Sequence, residues 1–465
     1  MIWLWLACTG DPVDTGTTAS TSGTSDTPDP HTHDTGPEPQ PVFANPPQAP
    51  DLDEADGVVH VALTASRHTF DVLGETVQGY AYDGSVPGPT IRLTRGDTLV
   101  ADVTNDLDTD TTVHWHGLHV PYDMDGVTWQ QDPIAPGETF TYTFTVDQPA
   151  GTYWYHPHVD VDRQVDFGLY GVIVVEDPAD PPVDRELIVV LDDWPSFEEP
   201  ERDTDDDGHA NDHGGELGAW TVNGLSRPSL ALTAGERVRV RAVNVANTGY
   251  ADLRGTGTVL ATDQGLLPAA VETDRWLLSP GDRVDWSWRP DGDGVSLQAE
   301  PYALAGGAAW GDPETLVDVT VAGAESAAAL ASWPFPGGEP TVDPGTTDLT
   351  YVFQGGLHTG EWFINGEQFP DVTIQSLPLG ADAVIEVRNL SASEHPFHLH
   401  GHGFEVLSVD GVPPAYRTVE DTVNMPIRSV LRLRLVADNP GFWMTHCHIL
   451  SHAHGMMTVL EVSEG

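Results

Sequence analysis

From about residue 52 onward the chain is filled with short runs in which apolar and polar residues alternate, broken by Gly, Pro, Asn or Asp. Arg237-Val-Arg-Val-Arg-Ala-Val-Asn244 is one such run. Period-two alternation sends every second side chain to one face, so these runs predict half-buried strands of antiparallel sheets. Helix-period spacing is scarce, and only the Ala-rich stretch 324–331 predicts a turn of helix. Three segments, at Tyr82–Asn105, Val222–Asn244 and Ile364–Asn389, share one order: a turn, a strand, a Gly-containing turn and an alternating strand ending at Asn. Their turn glycines Gly84, Gly224 and Gly366 stand about 140 positions apart, and a repeat of that length is a whole domain. The pattern predicts an all-β chain of three tandem β-sandwich domains, at 52–180, 181–325 and 340–465.

The first 51 residues do not follow this pattern. Residues 9–51 are mostly Thr, Ser, Asp, Gly and Pro, a composition that cannot bury a core and predicts a disordered tether. Ahead of it, apolar Met1–Ala7 runs into Cys8. Apolar residues ending in Ala-Cys resemble a bacterial lipoprotein signal at 1–8, in which Cys8 is acylated after cleavage and tethers the folded part to a membrane. The stretch lacks a basic start and is shorter than a usual signal core, and an ordinary apolar N-terminus is the alternative. No later segment has the roughly 18 consecutive apolar residues of a spanning helix. The expectation is a monomer outside the cytoplasm, anchored in a periplasm or at a cell surface.

Charge removes one class of partner. The formal net charge is −53, and all 19 basic residues are arginine. Nucleic-acid binding is excluded, because backbone phosphates need a basic surface. An acidic field attracts metal cations or cationic substrates, although it also serves simply to hydrate the surface. Asp203-Thr-Asp205-Asp-Asp207-Gly208 resembles the start of a calcium loop, but Gly214 stands where a bidentate Glu is required, so an acidic solvated loop is the better reading.

The candidate chemistry lies in histidine. Of 20 histidines, ten fall into four clusters: His114-Trp-His116, His156-Pro-His158, His395-Pro-Phe-His398-Leu-His400 and His446-Cys447-His448 with His452. On a strand, residues i and i+2 share a face, so each His-x-His pair aims two imidazoles at one place. Cys447 points away from His446 and His448, and one strand therefore serves two sites. His395 has opposite parity to His398 and His400 and can join Cys447. His395, His452, Cys447 and a nearby Met, either Met456 or Met457, make the two-imidazole, thiolate and weak thioether set of an electron-transfer copper. The other eight imidazoles suffice for three more copper ions at the interface of the first and last domains. The central domain carries none of the ten, and either shapes a substrate cleft or spaces the outer domains.

These motifs resemble the copper signatures of the multicopper oxidase family, across nearly all of residues 52–465. The resemblance implies three cupredoxin-like Greek-key domains and four copper ions. It implies type 1 copper on His395, Cys447 and His452, and type 2 copper on His114 and His398. It implies one type 3 copper on His116, His156 and His448 and the other on His158, His400 and His446. Electrons would pass from Cys447 to His446 and His448, and dioxygen would be reduced to water. Asp125 matches an acidic position that assists proton delivery in similar enzymes, or is simply a turn Asp-Gly. The loop after His452 is one residue shorter than in most relatives, which leaves Met456 and Met457 both open as axial ligand. A laccase-like oxidase of phenols or aromatic amines is the first reading. A cuprous or ferrous oxidase is the alternative, weakened by the absence of a methionine-rich segment. A non-catalytic copper-binding relative is disfavoured, because all ten histidines and Cys447 are present.

Overall fold

The computed structural model describes residues 40–53, 55–72, 74–194, 220–290, 296–303, 312–323, 332–356 and 360–464. Cys8, most of the tether, the acidic loop 203–208 and the stretch 324–331 lie outside the described residues. The first unit stacks two four-stranded sheets. One orders Glu75–Tyr82, Val58–Val72, Thr98–Asp106 and Thr139–Thr145, and the other orders Gly88–Thr94, Gly171–Glu176, Gly151–His156 and His114–His116. The third unit stacks a six-stranded sheet on a five-stranded one that contains His395–Leu399 and Gly441–Cys447 side by side. Among the described residues no helix is long and apolar enough to cross a membrane.

The internal repeat recurs as local structure. Asp83-Gly84, Asn223-Gly224 and Asn365-Gly366 all take positive φ at both positions, as a two-residue type I′ hairpin turn requires. The Asn that closes each repeat is fully buried and makes the same bonds each time. Asn105, Asn244 and Asn389 each donate from Nδ2 to two or more backbone carbonyls and accept from the N–H two residues on. A side chain that satisfies three backbone groups inside a sandwich fixes the corner where the chain leaves the sheet.

The central unit departs from expectation in two ways. Its nine strands form one continuous sheet, because the long strand Ala251–Thr262 pairs Arg283–Trp288 at one end and Leu297–Glu300 at the other, with bulges between. Its strand Val238–Asn244 is buried at every position rather than on one face. Arg239 and Arg241 do not reach solvent: both bond Asp285, and Arg241 also reaches Thr152 of the first unit. The charged face of that strand is covered by the neighbouring unit.

Part of the predicted tether is ordered. Residues 40–53 run as an ordered strap, with Phe43 N–H bonded to Ser229 O at 2.9 Å and Ala49 N–H to Thr90 O at 2.9 Å. Phe43 packs on the central core and Ala49 in the first. Each unit has its own core, and a fourth apolar cluster is shared by all three, with Trp154 and Val172, Val190 and Val243, and Met444 and Met457 as members.

Candidate metal centres

Strand pairing brings the third-unit ligands into place. His395–Leu399 lies antiparallel to Gly441–Cys447 with Phe397 opposite Cys447 and His398 opposite His446. His395 Nδ1 is 3.3 Å from Cys447 Sγ, and His452 Nδ1, carried back by the short helix Leu450–Ala453, is 3.7 Å from it. Ser391, on the loop closed by Asn389, bonds His395 Nε2 at 2.7 Å and leaves Nδ1 to face the sulfur. Ile449 N–H donates to Sγ at 3.4 Å. Trp362 lies on the His452 ring with centroids 3.9 Å apart. Burial holds His395 down at about 3 and His452 well below its ordinary value, and pushes the Cys447 thiol up. Neutral imidazoles are the ligating form, and a thiol this buried becomes a thiolate only beside a cation.

The two methionines separate cleanly. Met456 is fully buried in the core cluster that holds Cys447, Trp362, Phe397 and Ile449. Met457 stands opposite His446 in strand register and packs with Val127, Trp154 and Leu450 at the shared seam. Met456, just before the strand Met457–Ser463, lies on the Cys447 side, and Met457 lies on the His446 side.

The remaining eight histidines meet between the first and third units. His114 pairs with His156 across two strands of the first unit. His114 stacks on His400 at 3.8 Å, and His116 on His398 at 3.9 Å with the rings 9° from parallel. Ligand atoms lie within 4.8 Å of one another in the groups His114-His116-His398, His116-His156-His448 and His158-His400-His446. Trp154 lies over His156 at 4.2 Å and fixes the ring.

The fit to metal shows in the ring nitrogens. One nitrogen of each of several rings is held on an oxygen: His114 Nδ1 by Asp125 O at 2.9 Å, His156 Nδ1 by Pro157 O at 2.8 Å, His398 Nδ1 by Asp421 O at 2.9 Å and His446 Nδ1 by Cys447 O at 2.9 Å. The opposite nitrogens of His114, His156 and His398, and both of His448, are buried with no hydrogen-bond partner. His116 is turned the other way, with Nε2 held at 3.1 Å by Asp421 and Nδ1 free. Buried, unpartnered, unprotonated nitrogens converging from several rings are costly unless a cation meets them. Burial, and then the neighbouring histidines, hold His116, His156, His158, His398 and His400 well below the ordinary value, and burial holds His446 at about 4.

Asp125 is fully buried, and its Oδ2 accepts from His400 Nδ1 at 2.8 Å. It is therefore more than a turn residue, although it does sit in one. Gly126 takes φ +80°, and a Cβ there would meet Val113 O at 1.9 Å, so the turn presses Asp125 between His114 and His400 only because Gly follows it. Sequence reasoning missed Asp421, Arg283, Ser391 and Trp362. The available signal for Asp421 was a carboxylate inside Val419-Glu-Asp-Thr-Val-Asn-Met425, an otherwise strand-like run.

Multicopper oxidase family models match residues 64–180 and 341–465. The chain is 32% identical over 450 residues to Multicopper oxidase MmcO of Mycobacterium tuberculosis, covering 87% of this chain and 87% of that protein. It is 29% identical over 473 residues to Laccase-2 of Botryotinia fuckeliana, covering 84% of this chain and 79% of that one. A solved multicopper oxidase from Campylobacter jejuni, described as a metallo-oxidase, superposes with a TM-score of 0.77 at 26% identity, covering 91% of this chain and 96% of that one. With one thiolate site and one eight-histidine site in place, the chain belongs to the multicopper oxidase family and is a copper-dependent oxidoreductase that uses dioxygen.

Proposed function

We propose that this chain is a laccase-like oxidase of small phenols or aromatic amines. In this reading His395, Cys447 and His452 hold type 1 copper, with Met456 as the weak axial partner. His114 and His398 hold type 2 copper. His116, His156 and His448 hold one type 3 ion, and His158, His400 and His446 the other. Bound copper supplies the one-electron steps and, in the three-ion cluster, the four-electron reduction of dioxygen to water. The protein supplies the path, because Cys447 is bonded through the backbone to both His446 and His448. Asp125 fixes His400 through its carboxylate and His114 through its backbone oxygen, and its buried carboxylate stands beside both rings to deliver protons.

The aromatic rim at His452 carries the choice of reductant. Trp362 is buried against His452, Phe369 N–H bonds Gly455 O at 3.3 Å in the same loop, and Trp129, 39% exposed, lies 5.7 Å from the Phe369 ring. Aromatic donors stack favourably on the exposed Trp129 and the half-buried Phe369. A metal-ion oxidase is the second reading, favoured by the −53 net charge. Oxygen uptake by the copper-loaded protein with a phenol, then with ferrous and cuprous salts, separates them: fastest uptake with the phenol is expected, and uptake only with a metal salt would reject the laccase-like reading.

We also propose that acylated Cys8 anchors this monomer outside the cytoplasm. The apolar start and the polar stretch after it support this. Cys8→Ser should move the protein from the membrane fraction to the soluble one, and unchanged membrane retention would count against the anchor.

A further inference from the structure

The central unit supplies none of the ten histidines, yet one of its side chains reaches the wall of the eight-histidine cluster. Arg283 is buried and grips Asp421 with two parallel bonds, Nη1 to Oδ1 at 2.7 Å and Nη2 to Oδ2 at 2.5 Å. Its other bonds go to Thr152 O of the first unit and to Gly281 O and Asp263 O of its own, each at 3.1 Å, and Nη1 also lies 3.3 Å from the buried Asp263 carboxylate. One guanidinium thus ties all three units together. Asp421 in turn touches two ligands whose rings are stacked: its Oδ1 is 3.1 Å from His116 Nε2, and its backbone oxygen accepts from His398 Nδ1 at 2.9 Å. Gln264, also central, donates to Asp421 Oδ2 at 2.6 Å. A Cβ at Gly117 would meet Arg283 Nη2 at 2.5 Å and Asp421 Oδ2 at 2.6 Å, so the residue after His116 leaves room for this pair.

We propose that Arg283 is a positioning residue for the type 2 and type 3 ligands. By locking the Asp421 carboxylate it locks the outer nitrogen of His116 directly, and that of His398 through Thr422, whose Oγ1 bonds Asp421 Oδ1 at 3.0 Å and lies 3.1 Å from His398 Nδ1, and so decides that His116 presents Nδ1 and His398 presents Nε2 to copper. The fork is what matters. Two parallel donors fix the plane of the carboxylate, and an ammonium group cannot. A buried carboxylate left without its partner would turn or draw in water, moving His116 directly and the Thr422 hydroxyl that meets His398. The proposal rests on the ligand assignment given above for His114, His116 and His398.

The test uses the full copper-loaded chain and reads copper per chain, the type 2 electron paramagnetic resonance spectrum and the blue type 1 absorption. Wild-type protein without a type 2 signal would overturn the ligand assignment itself, whatever Arg283 does. With that signal present, Arg283→Lys should keep the blue absorption, bind type 2 copper about 10–100-fold more weakly and change its hyperfine splitting. Arg283→Met with Asp421→Asn, which removes both charges, should recover part of the affinity lost in Arg283→Met alone. Should Arg283→Met fail to fold, Gln264→Leu is the second probe, expected to shift the hyperfine splitting in the same direction by less. A lowered melting temperature with unchanged type 2 affinity and splitting in Arg283→Lys and Gln264→Leu would make Arg283 a strut between units and overturn the proposal.

Discussion

Cys447 and its neighbours His446 and His448 share one strand but serve two sites built in different ways. The Cys447 site brings His395 and His452 together from the third unit and lies in a core, shared with Tyr250 of the central unit, that also buries Met456. The eight-histidine cluster takes four rings from the first unit and four from the third, and Asp421 against it is gripped by Arg283 of the second. The first takes all its ligands from one unit, although Asn247 of the central unit bonds the helix that carries His452. The other exists only when the units dock, so it inherits the stability of their seam. Central Glu186 shows what that seam is made of: it bonds Arg241 at 2.6 Å and also pairs with Arg92 of the first unit.

The sharpest way to separate the two sites is Cys447→Ser. It should abolish the blue colour and reduce turnover of any reductant to background, while copper analysis still finds the three ions of the other site. Loss of all four ions would mean that the sites are not independently built. Next is the seam. Burial alone would raise Glu186, but Arg241 and Arg92 outweigh it and hold the carboxyl at about 2. A depressed carboxyl contributes stability above its unfolded value of about 4.5, and that stability is lost as pH falls through about 2, at most about 3 kcal/mol in all. Glu186→Gln should therefore destabilise the apoprotein at neutral pH in denaturant unfolding and make no difference near pH 2. An equal loss at both pH values would remove the ion pairs from the account.

Asp125→Ala should weaken copper binding at the eight-histidine cluster about 10–100-fold and leave the blue absorption untouched, as measured by copper titration. The smallest effect distinguishes the methionines. Met456→Leu should shift the blue absorption and raise the type 1 potential. Met457→Leu should leave both unchanged and cost less than about 1.5 kcal/mol, because it only repacks the seam. A spectral shift from Met457→Leu alone would reverse the assignment.

Much of this was legible in the chain because it depends on parity within one strand. His446 and His448 on one face, Cys447 on the other, and the three repeated turns at Gly84, Gly224 and Gly366 all follow from local spacing. What was illegible depends on contacts between distant parts of the chain. Alternation marks Arg239 and Arg241 as a polar face but cannot say whether water or another unit covers it. Asp421 and Arg283 lie 138 positions apart and meet only after docking. The axial methionine stayed open because parity after His452 is set by where the next strand resumes, at Met457–Ser463, and the loop length does not give that. Composition predicts disorder for residues 40–51 because two anchors, Phe43 and Ala49, are too few to register in it.

The most direct test of the two-site account is anomalous diffraction at the copper edge from crystals of the copper-loaded protein. The account predicts four peaks, one among His395, Cys447, His452 and Met456 and three among the eight histidines between the first and third units. A peak count confined to the Cys447 site in fully loaded, active protein, or a cluster peak held by residues of one unit alone, would contradict it.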